Sequence, residues 1–262
     1  MIVVSDNLQI THADVDRAVR ELDPAPIREL VRQCVAAGAD AVDINSGPLP
    51  RDPEKKMAFL VESVRSVTDL PVLLDTTNPK ALEAGLQASK GRAIINGFSL
   101  EPVKIERILP LARKYDAEII GYLLYPNSRV PADAPSRLGV AVELYGEFQQ
   151  AGGDPARLII DPIVPPVMWE DGHRQAMEIL SVIRTLPDLL GFPVRTIAGI
   201  SNLTTGQGPR DKKLLLERTY LPMLAAAGLS MALMNVFHQE SVMTVKAFNA
   251  LAGDRIFTWA GW

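Results

Sequence analysis

The chain has 262 residues, of which 47% are hydrophobic and 22% charged, and a formal net charge of -4. A chain of this length buries a sizeable core unaided, and the mild negative charge, with no dense run of Lys and Arg, carries no electrostatic footprint for nucleic acid. The single cysteine, Cys34, excludes an internal disulfide and any thiolate cluster or thiolate zinc site built from this chain alone.

No stretch approaches the about 18 consecutive apolar residues of a membrane span. The opening MIVVSDN is too short, and lacks the basic flank, for a signal peptide. A cytoplasmic protein is therefore expected.

In chain order, strand-like runs cover 2–5, 41–45, 72–76, 93–96, 118–124, 158–161, 195–201 and 231–236. Most are continuously apolar rather than alternating, as in a sheet covered on both faces. Helical periodicity fills the intervals at 28–38, 54–68, 78–91, 101–115, 135–153, 173–186, 211–228 and 239–253. Gly38, Gly91, Gly152 and Gly228 stand where left-handed helix terminators belong, and Cys34 reads as a small buried hydrophobe on an amphipathic helix. Trp259 and Trp262 in the tail FTWAGW read as packing residues. Alternation of strands and helices through short links predicts a parallel α/β architecture. Eight such pairs, with no GxGxxG after the first strand, favour a single-domain (β/α)8 TIM barrel over residues 1–262.

In such a barrel the active site is built where the strands end. Those ends supply Asp6 and Asn7, Asp43 and Asn45, Asp75 with Asn78, Asn96, Asp161, Ser201 with Asn202, and Asn235 with His238. The set is rich in Asp and Asn and poor in Lys, His and Cys. No strand run contains the lysine of a Schiff-base enzyme. Of three histidines, His12 and His173 fall at predicted helix starts, too few imidazoles for a zinc hydrolase. A magnesium site from Asp43, Asp75 and Asp161 stays open, and TTGQGPR at 204–210 is a weak phosphate-turn candidate. Carboxylates and carboxamides together suit a flat heterocycle with adjacent N–H and C=O groups, such as a pterin edge. The same residues can equally cap helices or close turns.

DINSGP at 43–48, LLDTTN at 73–78, IIN at 94–96, IIDPIVPP at 159–166 and GISN at 199–202, with DPAP at 23–26 and Arg210, resemble the pterin-binding barrel of methyltetrahydrofolate:corrinoid protein methyltransferases. The resemblance spans nearly the whole chain. It implies that Asp75, Asn96 and Asp161 hydrogen-bond the pterin ring, with Gly199 and Ser201 lining its face. It further implies that Asn202 lies beside N5 as the catalytic hydrogen-bonding group, with Arg210 near the folate tail or the partner. The implied cofactors are tetrahydrofolate or methyltetrahydrofolate as substrate, and a corrinoid carried by a partner protein. A homodimer is also implied. Asp171-Gly172-His173 lacks the spacing of a corrinoid-binding motif, so the corrinoid would arrive on another protein.

Two segments depart from the family. Ser5-Asp6-Asn7-Leu8-Gln9 stands where a Gly-Glu-Arg-Ile-Asn-like stretch is common, and Asn235-Val236-Phe237-His238 where an acidic residue is common. Dihydropteroate synthase is a poorer match, because its Ser-Arg-Lys-type segment is replaced by Ser201-Asn202-Leu203 and its Arg-x-His pair is absent. A pteroate-synthase variant using a pterin pyrophosphate and magnesium, and a non-catalytic pterin-binding subunit, remain the alternatives.

Overall fold

A computed structural model describes residues 1–90 and 93–253. The expected terminator Gly91, and Trp259 and Trp262, lie outside the described residues.

Eight parallel strands close in sequence order into a barrel, β1 pairing with β8. They are β1 (Ile2–Gln9), β2 (Ala41–Asn45), β3 (Val72–Asp75), β4 (Ala93–Phe98), β5 (Glu118–Tyr122), β6 (Leu158–Asp161), β7 (Arg195–Gly199) and β8 (Met231–Met234). The described helices are α1 (Ala13–Glu21), α2 (Pro24–Ala36), α3 (Pro53–Arg65), α4 (Pro79–Ser89), α5 (Pro102–Lys114), α6 (Ala134–Gln150), α7 (Gly172–Leu190), α8 (Arg210–Ala227) and α9 (Gln239–Ala252). The (β/α)8 expectation holds, with α1 added between β1 and the predicted first helix. Leu22 takes the left-handed φ of 56° that ends α1 one residue before the DPAP entry to α2. No described helix is long and apolar enough to cross a membrane.

The helix starts have local causes. Proline occupies the first turn of α2 to α6, where its missing N–H costs no helical bond. Asp23, Asn78 and Asp133 cap α2, α4 and α6 through backbone N–H groups of the first turn. Gly38, Gly152 and Gly228 take positive φ just past helix ends, as expected. Cys34 is buried between α2 and the barrel wall.

A strand's side chains alternate between the barrel interior and the helical shell. Inside, Val4, Ala41, Leu73, Ile94, Ile120, Ile159, Ile197 and Met231 form one apolar plug. One step of two residues toward the carboxyl ends replaces most of that layer with polar groups: Asp6, Asp43, Asp75, Asn96, Tyr122 and Asp161, with Gly199 leaving an opening and Leu233 staying apolar. The closed apolar layer is the floor of a polar mouth.

Candidate functional site

Strand register brings the polar layer together. Asn45 lies opposite Asp75, Asp75 opposite Asn96, and Tyr122 opposite Asp161. The Asn45 amide donates to Asp75 at 2.6 Å. Asn96 donates from Nδ2 to Asp43 at 3.0 Å and accepts from the Tyr122 hydroxyl at 2.6 Å. With both amide atoms engaged by partners of opposite character, the orientation of Asn96 is determined. Asp161 accepts the Ile163 N–H at 2.8 Å, across a turn in which Ile163 has a left-handed φ of 61°.

These carboxylates share one electrostatic condition: they are removed from water without enough donors to compensate. Burial lifts Asp161 to about 7, against the Ile163 N–H that holds it down. Burial lifts Asp75 to about 6, against the Asn45 amide and the charge of Lys104. Asp43 is held well above the usual carboxylate range by burial and then by Asp75 beside it. Asp6 rises to about 6 through burial and the nearby Glu217. Such a mouth has spare acceptor capacity, which a ligand edge rich in N–H groups would fill. Among the described residues, no three His, Cys, Asp or Glu side chains converge as a metal ion would require.

Past β7 the chain turns through a short 3-10 helix, Ile200–Thr204. This turn exposes Ser201 and folds the Asn202 amide back over Gly199. A Cβ at Gly199 would stand 3.0 Å from Asn202 Nδ2, so a larger residue there would push the amide aside by a few tenths of an ångström. Val167, beyond Asp161, donates its N–H to Leu203 O at 2.9 Å and ties the two loops. Arg210 opens α8 exposed at the rim, where its charge and, ahead of it, burial hold His238 below the ordinary imidazole value.

Three of the strand-end candidates take up local tasks. Asn78 Oδ1 accepts the Lys80 and Ala81 N–H groups at 3.1 and 3.4 Å, a helix cap. Asn7 and Asn235 bond each other at 2.8 Å, and Asn7 Oδ1 also accepts the Val236 N–H at 3.0 Å. This amide pair stitches β1 to the segment after β8 and joins the two stretches that depart from the family pattern. A cavity of about 180 Å³ adjoins it, lined by Asp6, His12, Ser201, Glu217 and His238 among others.

Sequence reasoning missed Tyr122 and Lys104. Tyr122 was legible by the alternation rule, two residues past the interior Ile120. Lys104 sits in the first turn of α5 rather than on a strand, with its ammonium 5.9 Å from the Tyr122 ring centroid and 3.6 Å from Glu101. A mouth poor in lysine thus still has one cation beside Asp75.

Comparison with known proteins gives the family. The chain is 23% identical over 258 residues to methylcorrinoid:tetrahydrofolate methyltransferase of Eubacterium limosum, covering 97% of this chain and 92% of that protein. It is 24% identical over 244 residues to methionine synthase of Mycobacterium tuberculosis, covering 86% of this chain but 20% of that larger enzyme. Among solved structures, dihydropteroate synthase from Stenotrophomonas maltophilia superposes with a TM-score of 0.70 at 18% identity, covering 97% of this chain and 94% of that one. Dihydropteroate synthase from Xanthomonas albilineans with 4-aminobenzoic acid gives 0.68 at 20% identity, covering 97% and 93%. At such identities the structural matches speak for the fold alone. The family model for pterin binding enzymes matches residues 10–235, from the end of β1 to just past β8, and the chain belongs to the pterin binding enzyme family.

Proposed function

We propose that this enzyme moves a methyl group between N5 of tetrahydrofolate and the cobalt of a corrinoid carried by a separate protein. The observation that carries the reading is the pair of buried, under-compensated carboxylates Asp75 and Asp161 with the fixed amide of Asn96 between them, beside an amide folded over Gly199. A pterin offers an amino group and a ring N–H side by side, and each would take the place of water lost by a buried carboxylate. The end-to-end relation to a methylcorrinoid:tetrahydrofolate methyltransferase supports the same choice.

In this reading Asp75, Asn96 and Asp161 hold the pterin edge, and Gly199 and Ser201 give its face room. Asn202 is the catalytic residue beside N5. A tertiary amine leaves poorly unless N5 gains positive charge, and a carboxamide can present either its oxygen or its N–H as that charge changes. Its contribution lies in hydrogen bonding that strengthens in the transition state. The corrinoid supplies the cobalt that receives or gives the methyl group. Arg210, at the rim in this reading, would meet the folate tail or the corrinoid protein. We further propose a homodimer, because α7 and α8 leave Met177, Leu215 and Leu216 exposed, and a cytoplasmic location.

The test is calorimetric titration with methyltetrahydrofolate in the absence of metal, followed by single-turnover methyl transfer to reduced cobalamin. Saturable binding and formation of methylcobalamin are expected, from a protein that sediments as a dimer. Binding without transfer would favour a non-catalytic pterin-binding subunit. No folate binding, with magnesium-dependent uptake of a pterin pyrophosphate instead, would favour the pteroate-synthase alternative.

A further inference from the structure

Arg137, on α6, is the largest fully buried side chain among the described residues, with 0% exposure. Its Nε donates to the Pro162 carbonyl at 3.2 Å and its Nη2 to Gln175 Oε1 at 3.4 Å, while Nη1 has no hydrogen-bond partner. The surrounding groups that act on it are Glu178 on α7, Tyr220 on α8, Asp133 at the start of α6 and Tyr125 beyond β5. Glu178 is already engaged, accepting the Ala134 N–H at 2.6 Å and standing 3.9 Å from Arg174. A buried guanidinium without a paired carboxylate is costly, so its retention calls for a specific task.

The carbonyl it grips belongs to an unusual turn. Pro162 lies between Asp161 and Ile163, and Ile163 is β-branched yet has a φ of 61°, a region such residues rarely enter. That conformation aims the Ile163 N–H at Asp161 Oδ1. Val164 is buried immediately beyond, and Val167 bonds the turn carrying Asn202. Strained backbone persists only where its surroundings hold it.

We propose that Arg137 is a positioning residue for the Asp161 carboxylate: by gripping the Pro162 carbonyl from α6, it holds Ile163 in the left-handed turn that points its N–H at Asp161. The functional meaning of this clamp rests on the folate reading of the mouth, but the clamp itself does not. Loss of Arg137 would let the turn relax, and Asp161 would lose a donor to its ionised form. Tyr122 on β5 is a titratable side chain that shares its field with Asp161, and with Asp75 and Asp43 as well.

The experiment needs no ligand. Thermal stability is followed against pH for chains with Asp161 and with Asp161→Asn, each with Arg137 or Arg137→Met. Asp161 titrates near 7 in the folded chain and in the ordinary carboxylate range when unfolded. The deficit of the Asp161 chain relative to Asp161→Asn therefore grows as pH rises through that interval, then levels off. Arg137→Met is expected to move the levelling point up by about one pH unit, as when a carboxylate loses a backbone donor. Adding Ile163→Gly, which adopts the turn without strain, is expected to bring it back. An unmoved levelling point beside a general loss of stability would overturn the proposal and leave Arg137 a packing residue. Should Arg137→Met fail to fold, the double variant with Ile163→Gly decides: recovered folding supports the clamp, and continued failure overturns it. Methyltetrahydrofolate binding by the unaltered chain, measured separately, tests the folate reading without touching this result.

Discussion

Asn96 has two constraints on its amide and one purpose if the mouth holds a pterin. Asp43 fixes its nitrogen and Tyr122 its oxygen, so each amide atom keeps one further hydrogen-bonding capacity. Removing the Tyr122 hydroxyl would leave Asn96 Oδ1 short of a donor and free the amide to rotate. Tyr122→Phe is therefore expected to weaken methyltetrahydrofolate binding about tenfold, the scale of one hydrogen bond at a buried site. Calorimetry on the pair of proteins would measure it. Equal affinities would show that Asn96 does not depend on Tyr122 for its orientation. Tyr122 also shows how far strand ends are legible from composition. An aromatic residue in an apolar run reads as core, and only the two-residue step from Ile120 marks it as part of the polar layer.

At the scale of elements, the alternation of apolar runs with helical periods was enough for the barrel, because the strands are largely buried on both sides and the helices that follow them, α1 apart, show their period. The limits of the strands were less legible. Residues 200 and 201 read as the end of a strand but turn into the short helix that carries Asn202, since Gly199 leaves room for the amide to fold back. The helix α1 went unmarked as a separate element because its apolar positions are few and its surface is strongly charged; its first-turn Asp14 and Asp16 and last-turn Arg20 suit the helix dipole. Strand-end position alone also failed to separate binding residues from caps. Asn78 looks like a mouth residue in LLDTTN, yet its carbonyl oxygen serves the first turn of α4. Asn78→Ala is accordingly expected to cost about 1 kcal/mol of stability while methyltetrahydrofolate affinity is retained. Chemical denaturation and the binding titration together would check this. A loss of affinity exceeding the loss of stability would return Asn78 to the mouth.

Across the whole molecule, the mouth sets stability against binding. Asp6, Asp75 and Asp161 titrate at about 6, 6 and 7, all raised chiefly by burial. A raised carboxylate favours folding in its protonated form, so the empty protein loses stability as pH rises from the ordinary carboxylate range through these values. The exposed ion pairs contribute little each. The empty protein should therefore melt at a higher temperature near pH 5.5 than at pH 7.5. Asp161→Asn should remove part of that slope and raise stability at pH 7.5 by about 1–2 kcal/mol, less than the full shift implies because the buried carboxamide has polar atoms of its own to satisfy. The same substitution should abolish tight folate binding, since a neutral amide accepts the pterin donors less strongly than a carboxylate. Saturating methyltetrahydrofolate should in turn flatten the pH slope of the natural chain, as its N–H groups compensate the ionised carboxylates. Differential scanning calorimetry at the two pH values, with and without ligand, would measure all three effects. If stability instead rises steadily from pH 5.5 to 7.5 in the empty protein, the carboxylates of the mouth are already compensated and the case for a donor-rich ligand weakens with them.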